Sequence, residues 1–468
     1  MGRLLGAFLL PHPPILIEEI GGGEEEKARN TVEGYKEVSK EISRLKPDII
    51  IVITPHGPLF TDANSIYIEE DLKGDFSKFG FPQLKYSYKN SLDLAYKIVK
   101  NSLNNNIPIA QMTKEMFRTY KLDNKLDHGV LVPLHFVDKE YEEYKLVPIT
   151  YGLLSPQELY GFGRSIEEAI LKQAKDVVVI ASGDLSHKLS NSGPYSYAKE
   201  GVEFDGLITR IIKDKRLEEA LVIDPELANK AGECGLRSLM ILVGILSNYQ
   251  VESKLLSYEG PFGVGYGVAS FSIKGYEEKD YSEFIINSLS KRLEEQKRME
   301  SSYVKLARAS LEYYLRTGTY MEVPKDIDVE LKNLKRPVFV SIKKNGSLRG
   351  CIGSLKSLEE NTAKEIIKYA VEAGIRDFRF QPVSLEEIKD LTFSVDILHE
   401  SEPIEDISQL DPLNFGVIVI KGSRKGVLLP NIEGVDSGEE QIRIALNKAG
   451  IIEDEDYKIE RFRVDRYH

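Results

Sequence analysis

The chain has 468 residues, of which 42% are hydrophobic and 29% charged, and its formal net charge is −12. A chain of this length is expected to fold into two or three domains. No block of lysine and arginine alternates with aromatic residues, so the composition argues against binding to nucleic acid. No apolar run approaches the roughly 20 residues of a membrane helix, so no membrane contact is expected.

The two cysteines, Cys234 and Cys351, lie far apart in different sequence contexts. They predict no disulfide framework and fit a reducing environment, so we expect a cytoplasmic protein. Residues 4–10 are apolar and are followed by Pro11. We interpret them as a buried strand, because a signal peptide requires a longer apolar region and small residues at a cleavage site.

Strands and helices are predicted to alternate through the first part of the chain. Between Thr31 and Leu45, apolar residues recur at intervals of three and four, which predicts an amphipathic helix. The run from Asp48 to Thr54 is continuously apolar, which is typical of a central strand. A strand, a helix and a strand in this order indicate an α/β fold with a mainly parallel central sheet flanked by helices.

The composition shifts near Lys274, where charged residues become frequent. We predict a first domain over residues 1–275, a linker over 276–297 and a smaller α+β domain over 298–468. In the second domain, two strand-like runs flank Asn345-Gly346, a dipeptide that strongly predicts a hairpin turn.

Four of the seven histidines lie in compact motifs where a strand is predicted to end. They are His12 in LLPHPP, His56 in IVITPHG, His128 in LDHGVL and His187 in ASGDLSH. Open α/β folds build their binding sites at this rim of the sheet. His135, by contrast, fits an ordinary packing role.

His12 and His56 are the natural pair of metal ligands, because each follows an apolar strand. Two histidines with one carboxylate are the ligand set of non-haem iron oxygenases, so we predict an Fe(II) site with copper or zinc as alternatives. Glu233, in AGECGLRS, is the predicted third ligand, because a buried acid is rare unless it is paired or coordinating. Its neighbour Cys234 is the alternative, and a thiolate there favours a softer metal.

His187 is the predicted proton carrier, because an unperturbed imidazole both accepts and donates protons near neutral pH. Asp184 and Ser186, in the same motif, are expected to fix the orientation of its ring. His128 is expected to orient the substrate or to donate a hydrogen bond to it.

Two further motifs, LRGCIGS and RDFRFQPVS, stand out after residue 340. Cys351 lies between glycines near Arg349, a setting that can lower the pKa of a thiol and make it nucleophilic. Arg376, Asp377 and Arg379, in the second motif, are expected to bind an anion or to form a structural ion pair. The candidates for a second site are Arg349, Cys351, Arg376 and Asp377. A structural role for Cys351 is favoured, because no histidine accompanies it.

The PHPP, PHG, DHG, DLSH and ECG motifs together resemble the class III extradiol dioxygenase (LigB-like) superfamily, which includes the Memo proteins. The resemblance covers roughly residues 1–275. It implies a metal held by His12, His56 and Glu233, with His187 as the acid–base group and His128 near the substrate. Memo proteins resemble this pattern but place a cysteine near the glutamate position, where this chain has both residues.

The LRGCIGS, RDFRFQPV and GVLLP motifs resemble the AMMECR domain over roughly residues 296–468. This resemblance implies an α+β fold and no particular reaction. The fusion of the two modules resembles the AmmeMemoRadiSam system proteins of bacteria and archaea, which implies a radical SAM protein as a functional partner.

Two functional hypotheses follow. The first is an Fe(II)-dependent extradiol dioxygenase that opens the ring of a catechol-like substrate with dioxygen. The second is a non-catalytic Memo-like adaptor that binds iron or copper and works with a radical SAM protein. A transferase that uses Cys351 as its nucleophile has less support, because no general base accompanies the thiol.

Overall fold

A computed structural model describes residues 2–344, 346–432, 435, 437–452 and 456–468. It divides into two compact units, Met1–Ser288 and Leu289–His468. Each unit has its own hydrophobic core. Within the described ranges, every helix is too short or too polar to cross a membrane.

The first unit is a sheet flanked by helices. Its strands are β1 Leu4–Leu10, β2 Ile49–Thr54, β3 Asn64–Tyr67, β4 Asp71–Phe76, β5 Phe81–Lys89, β6 Ile109–Met112, β7 Lys145–Thr150, β8 Val177–Ser182, β9 Tyr249–Glu259 and β10 Tyr266–Tyr276. Its helices are α1 Glu18–Gly21, α2 Arg29–Leu45, α3 Leu92–Asn104, α4 Lys114–Thr119, α5 His128–Asp138, α6 Pro156–Leu171, α7 Lys199–Lys213, α8 Pro225–Ala231 and α9 Leu236–Leu246.

Eight of these strands form one sheet in the order β6-β3-β7-β2-β8-β1-β10-β9. The four central strands, β7, β2, β8 and β1, run parallel, and β10 and β9 extend the sheet antiparallel. Every residue of β2 and β8 is buried, because helices cover both faces of a parallel sheet. The predicted α/β class with a mainly parallel central sheet is confirmed.

The order of the central strands determines which loops meet. Strand β8 lies between β1 and β2, so the two strands that precede His12 and His56 are not direct neighbours. The carboxyl ends of all three strands nevertheless lie at the same edge of the sheet. The segment after β8, which begins at Gly183, therefore enters the space between the two histidine-bearing segments.

The second unit contains two four-stranded sheets, ordered β12-β11-β13-β18 and β14-β17-β15-β16. Its strands are β11 Val338–Lys344, β12 Ser347–Gly353, β13 Leu391–Leu398, β14 Glu402–Pro403, β15 Gly416–Lys421, β16 Arg424–Leu428, β17 Lys458–Phe462 and β18 Val464–Tyr467. Its helices, after α10 Ser282–Met299, are α11 Ser302–Thr317, α12 Val329–Asn333, α13 Thr362–Ile375 and α14 Gly438–Ala449. This unit has the predicted α+β composition.

The segment predicted as a linker is largely helical. It contains most of α10, and the boundary between the two compact units falls inside this helix. Strands β11 and β12 pair antiparallel, as a hairpin requires. Asn345, predicted to form the turn between them, lies outside the described residues.

Candidate metal centre

Three histidines form the first half of the candidate site. Nitrogen atoms of His12, His56 and His128 all lie within 4.8 Å of one another. The Nε2 atoms of His12 and His56 are 2.9 Å apart. His12 is 1% exposed, whereas His56 is exposed, so solvent reaches the cluster from the His56 side.

A second group of potential ligands shares His12. It consists of His12, Asp184 and Cys234, whose ligand atoms also lie within 4.8 Å of one another. The Cys234 Sγ atom is 3.6 Å from the Nε2 of His12 and 4.0 Å from the Nε2 of His187. His12 therefore lies at the centre of the whole arrangement.

Hydrogen bonding determines which nitrogen of His12 carries the proton. The Ser182 hydroxyl donates to the carbonyl of Gly129 at 2.6 Å, so it accepts from the Nδ1–H of His12 at 2.9 Å. The lone pair of His12 is then on Nε2, which faces His56 and Cys234. Burial lowers the pKa of His12 to about 4, so the ring is neutral at physiological pH. Sequence reasoning assigned no role to Ser182, which ends β8 inside the ASGDLSH motif.

The donor atoms of His12 and Cys234 fit a transition metal in both chemistry and spacing. Bond lengths of about 2.1 Å to nitrogen and about 2.3 Å to sulfur place two such ligands about 3.6 Å apart at a tetrahedral angle. That is the distance between His12 Nε2 and Cys234 Sγ. A set of imidazole and thiol ligands fits iron, copper and zinc.

Glu233, the predicted third ligand, belongs to neither group of potential ligands that the described residues form. Its Oε2 accepts the backbone N–H of Leu236 at 2.6 Å, in the first turn of α9. Gly232 ends α8 in the left-handed conformation, with φ of 65°, and the side chains of Glu233 and Cys234 then separate. Glu233 thus caps the first N–H of α9 from two residues before the N-cap position, which Gly235 occupies, and the alternative ligand, Cys234, is the residue beside His12.

Asp184 connects His12 to His187. One carboxylate oxygen accepts the backbone N–H of His12 at 2.8 Å, and the other lies 3.8 Å from the Nε2 of His187. Burial alone lowers the pKa of His187, but the hydrogen bond and charge of Asp184 outweigh it, and the pKa is raised. Ser186 was expected to orient the ring; instead its backbone N–H donates to Asp205 at 2.7 Å and fixes the loop.

His128 begins helix α5 and does not end a strand, contrary to the prediction. Asp127 is the N-cap, and its carboxylate accepts from the backbone N–H of Gly129 at 2.8 Å. An aspartate just before an apolar run is the sequence signal for such a helix start. The His128 ring stacks on His56 with centroids 4.3 Å apart, and burial lowers its pKa to about 2. His135, on the same helix, is bound to Tyr86 at 2.7 Å, as its predicted packing role implies.

The motif residues of the second unit are arranged around the edge strand β12. Asp377 accepts the backbone N–H of Cys351 at 2.9 Å and pairs with Arg379 at 2.6 Å. Arg379 in turn donates to the Cys351 carbonyl at 3.3 Å. Burial raises the pKa of the Cys351 thiol, in contrast to the lowered pKa that its motif suggested.

The two remaining candidates of that second site have other partners. Arg349 pairs with Glu387 at 2.8 Å, and Arg376 pairs with Glu372 at 3.2 Å on the surface. Asp377 therefore pairs with Arg379 and not with Arg376. These contacts give the two motifs a structural role at the edge of the sheet.

A mainly parallel sheet with a histidine-rich candidate site at the carboxyl ends of its strands defines the class of the first unit. Residues 6–269 match the family model of the catalytic LigB subunit of aromatic ring-opening dioxygenase. Residues 304–467 match the AMMECR1 model.

The chain belongs to the LigB family and carries an AMMECR1 domain after its LigB domain. It is 43% identical over 466 residues to a protein of Clostridium acetobutylicum, with 99% of each chain covered. A Thermotoga maritima protein is 49% identical over 170 residues, covering 36% of this chain and 98% of the relative. The crystal structure of a Pyrococcus horikoshii protein matches 35% of this chain and 88% of its own, at 34% identity and a TM-score of 0.33.

Proposed function

We propose that the LigB unit binds iron(II) through His12, His56 and Cys234 and catalyses the dioxygen-dependent opening of a catechol-like ring. The observation that carries the proposal is the position of His12 Nε2, which lies 2.9 Å from His56 Nε2 and 3.6 Å from Cys234 Sγ and so joins the two groups of potential ligands. The match to a family of aromatic ring-opening dioxygenases supports the reaction class. When bound, the metal supplies a Lewis-acidic, redox-active centre.

Cys234 is preferred to His128 as the third ligand because its sulfur lies at the spacing of two metal ligands from His12, although a His128 nitrogen also lies within 4.8 Å of His12 and His56. The Cys234 Sγ atom lies 3.6 Å from the lone-pair nitrogen of His12. The His128 ring stacks on His56 and also contacts Phe79. Because burial keeps His128 neutral, it offers a substrate a hydrogen bond without adding charge to the site.

His187 and Asp184 handle the proton of the substrate in this proposal. The His187 ring reaches the edge of the ligand cluster, 4.0 Å from Cys234. The Asp184 carboxylate beside it makes His187 a stronger base. A catechol hydroxyl directed at His187 therefore transfers its proton to the imidazole, which returns it later in the reaction.

Anaerobic reconstitution with Fe(II), followed by oxygen uptake on a panel of catechols, tests the proposal. We expect oxygen consumption with formation of a ring-opened product. His12→Ala is expected to lose iron binding, whereas His187→Ala is expected to keep iron and lose about 100-fold or more in turnover. An iron-loaded protein that consumes no oxygen with any catechol contradicts the proposal.

The thiol favours a second candidate function. A cysteine ligand binds soft metals better than a carboxylate does, and burial raises the pKa of Cys234, so a bound cation is needed to stabilise its thiolate. A Memo-like adaptor that holds iron or copper fits this donor set, and the sequence resemblance implies a radical SAM protein as its partner. Tight binding of Cu(I) through Cys234, with no oxygen uptake by the iron form, supports the adaptor. Ring opening by the iron form contradicts it.

A further inference from the structure

Asp127 connects the segment that carries His56 to the start of helix α5. Its Oδ1 atom accepts the Thr54 hydroxyl at 2.7 Å and the backbone N–H of Gly129 at 2.8 Å. The Thr54 hydroxyl in turn accepts the backbone N–H of His56 at 3.2 Å. One oxygen of the carboxylate therefore holds the end of β2 and the beginning of α5 together.

The other oxygen of this carboxylate is buried without a donor. Asp127 Oδ2 has no hydrogen-bond partner among the residues that the structure describes. It lies 3.3 Å from the position that a Cβ atom would take at Gly57, the residue after His56. Nearly all buried polar atoms of native proteins have a partner, because an unpaired acceptor pays its full desolvation cost. Oδ2 therefore calls for a donor close to the PHG motif.

Two glycines leave room for the carboxylate and its neighbours. A Cβ at Gly57 would lie 2.1 Å from the Oγ1 of Thr150 and 3.3 Å from Asp127 Oδ2. A Cβ at Gly129 would lie 2.2 Å from the Oγ1 of Thr54 and 2.8 Å from Asp127 Oδ1. A side chain at either position would displace the carboxylate or the hydroxyls around it. The glycines of the PHG and DHG motifs thus preserve the position of Asp127.

His56 can supply the missing donor. Burial lowers the pKa of His56, and the charge of Asp127 opposes that effect more strongly than the charge of Asp184 does. The Nε2 atom of His56 lies 2.9 Å from the Nε2 of His12, within the group of potential ligands. A neutral imidazole that binds a metal through Nε2 carries its proton on Nδ1. Histidine ligands almost always donate that proton to a carboxylate, a backbone carbonyl or water.

We infer that Asp127 is a positioning residue for the metal ligand His56, whose Nδ1–H its Oδ2 accepts. The inference rests on the metal binding of the proposed function and does not depend on ring opening. The two histidine ligands then have different partners on Nδ1, the hydroxyl of Ser182 for His12 and a carboxylate for His56. A carboxylate partner fixes the ring and makes the imidazole a more basic ligand.

Asp127→Asn separates this role from the capping of α5. Asparagine caps a helix as well as aspartate does, but its amide group donates where Oδ2 accepts. Binding of Zn(II), a redox-inert substitute for Fe(II), is measured on the full chain by competition with a chelator. We expect a 10- to 100-fold loss of affinity in Asp127→Asn. Asp224→Asn is the matched control, because Asp224 caps α8 by accepting the N–H of Glu226 at 3.1 Å, and its zinc affinity is expected to be unchanged.

Nitrogen NMR of the histidine-labelled protein reads the inferred contact directly, with His56→Gln used to assign the signal. In the zinc-loaded wild type, we expect the proton of His56 on Nδ1, with the downfield shift of a hydrogen bond to a carboxylate. Asp127→Asn is expected to lose this shift. The signal of His135, which lies on the same helix and is bound to Tyr86, is expected to stay in place. A purely structural role for Asp127 would not move the His56 signal alone.

Wild-type zinc affinity in Asp127→Asn, or an equal loss in Asp224→Asn, overturns the inference. If Asp127→Asn does not fold, the wild-type spectrum decides, since a zinc-bound His56 without a proton on Nδ1 also overturns it. Weaker zinc binding by Asp127→Asn, with no oxygen uptake by the wild-type iron form, supports the positioning role and contradicts ring opening. Ring opening by the wild type with unchanged affinity in Asp127→Asn does the reverse. A wild-type chain that binds neither zinc nor iron overturns both.

Discussion

Each of the two units has one cysteine next to a glycine, and the surroundings of the two cysteines differ. Cys234 lies within 4.0 Å of imidazole nitrogens from His12 and His187, which come from distant parts of the chain. The Cys351 thiol instead accepts a hydrogen bond from Ser341 on the paired strand at 3.2 Å. A cysteine beside glycine therefore builds a site only where other loops bring ligands to it.

Replacement of each cysteine tests this difference most strongly. Cys234→Ala is expected to weaken binding of Fe(II) or Zn(II) about 100-fold or more, because a direct ligand contributes more than the 10- to 100-fold typical of its supporting residues. Cys351→Ala is expected to leave metal affinity unchanged. Competition with a chelator of known affinity measures both, and equal losses in the two variants contradict the comparison.

Ser182→Ala sharpens the comparison at the first unit, because it removes the hydrogen-bond acceptor of His12 and leaves all proposed metal ligands in place. Without the Ser182 hydroxyl, the Nδ1–H of His12 has no acceptor and the ring is no longer held in one orientation. Metal affinity is therefore expected to fall about tenfold. Ser238→Ala is the matched control, since the Ser238 hydroxyl donates to the Ser182 carbonyl at 2.9 Å. A similar loss in both variants, measured by the same chelator competition, indicates general loosening of the core.

Asp377→Asn tests the structural role of the motif in the second unit. Its pairing with Arg379 lowers the pKa of Asp377 to about 2, although burial opposes the shift. The lowered pKa stabilises the folded state at pH values above the ordinary carboxyl pKa of about 4. This stabilisation is lost as the pH falls from there toward 2. Because Arg379 is partly exposed, we expect a loss of about 1 to 2 kcal/mol in the variant at neutral pH.

Urea unfolding between pH 6 and pH 3, with hydrogen exchange of the β12 amides, measures this effect. The difference between wild type and Asp377→Asn is expected to shrink toward the acid end of the range, while Cys351→Ala serves as the neighbouring comparison. A difference that is independent of pH contradicts the electrostatic explanation.

Glu233→Ala gives the smallest expected effect. Loss of the cap at the start of α9 is expected to lower the free energy of unfolding by about 1 kcal/mol. Metal affinity is expected to stay at the wild-type value, and Glu233→Gln, which retains an acceptor oxygen, is expected to recover part of the stability. A loss of metal binding as large as that of Cys234→Ala contradicts the assignment of Glu233 as a cap.

Local patterns predicted much of the first unit. The apolar run at Asp48–Thr54 forms β2 at Ile49–Thr54, and the three- and four-residue spacing at Thr31–Leu45 forms α2 at Arg29–Leu45. Both predictions succeed because burial leaves a pattern of apolar residues in the sequence. A helix buried on one face has apolar residues at intervals of three and four, and a fully buried strand has a continuous apolar run. The start of α5 at His128 was missed because its apolar run is short. In so short a run, the pattern of a buried helix cannot be distinguished from that of a buried strand.

The sequence also identified the four histidines of the candidate site and the pair Glu233-Cys234, since these residues lie in compact motifs next to strands or helix starts. It did not single out Phe79, which is far from any histidine along the chain, or Tyr195, which lies eight residues beyond His187 and outside its motif. Their proximity to His128 and His187 depends on the docking of a hairpin and a loop.

By itself, the sequence determined the fold class and the residues able to bind a metal, because both follow from local hydrophobic patterns and side-chain chemistry. Only the tertiary structure decided which member of Glu233-Cys234 faces His12. The two side chains are adjacent and diverge at a single turn, and that turn is set by Gly232 and by where α9 begins. The directions in which two neighbouring side chains point leave no periodic pattern in the sequence, so only the packed structure shows them.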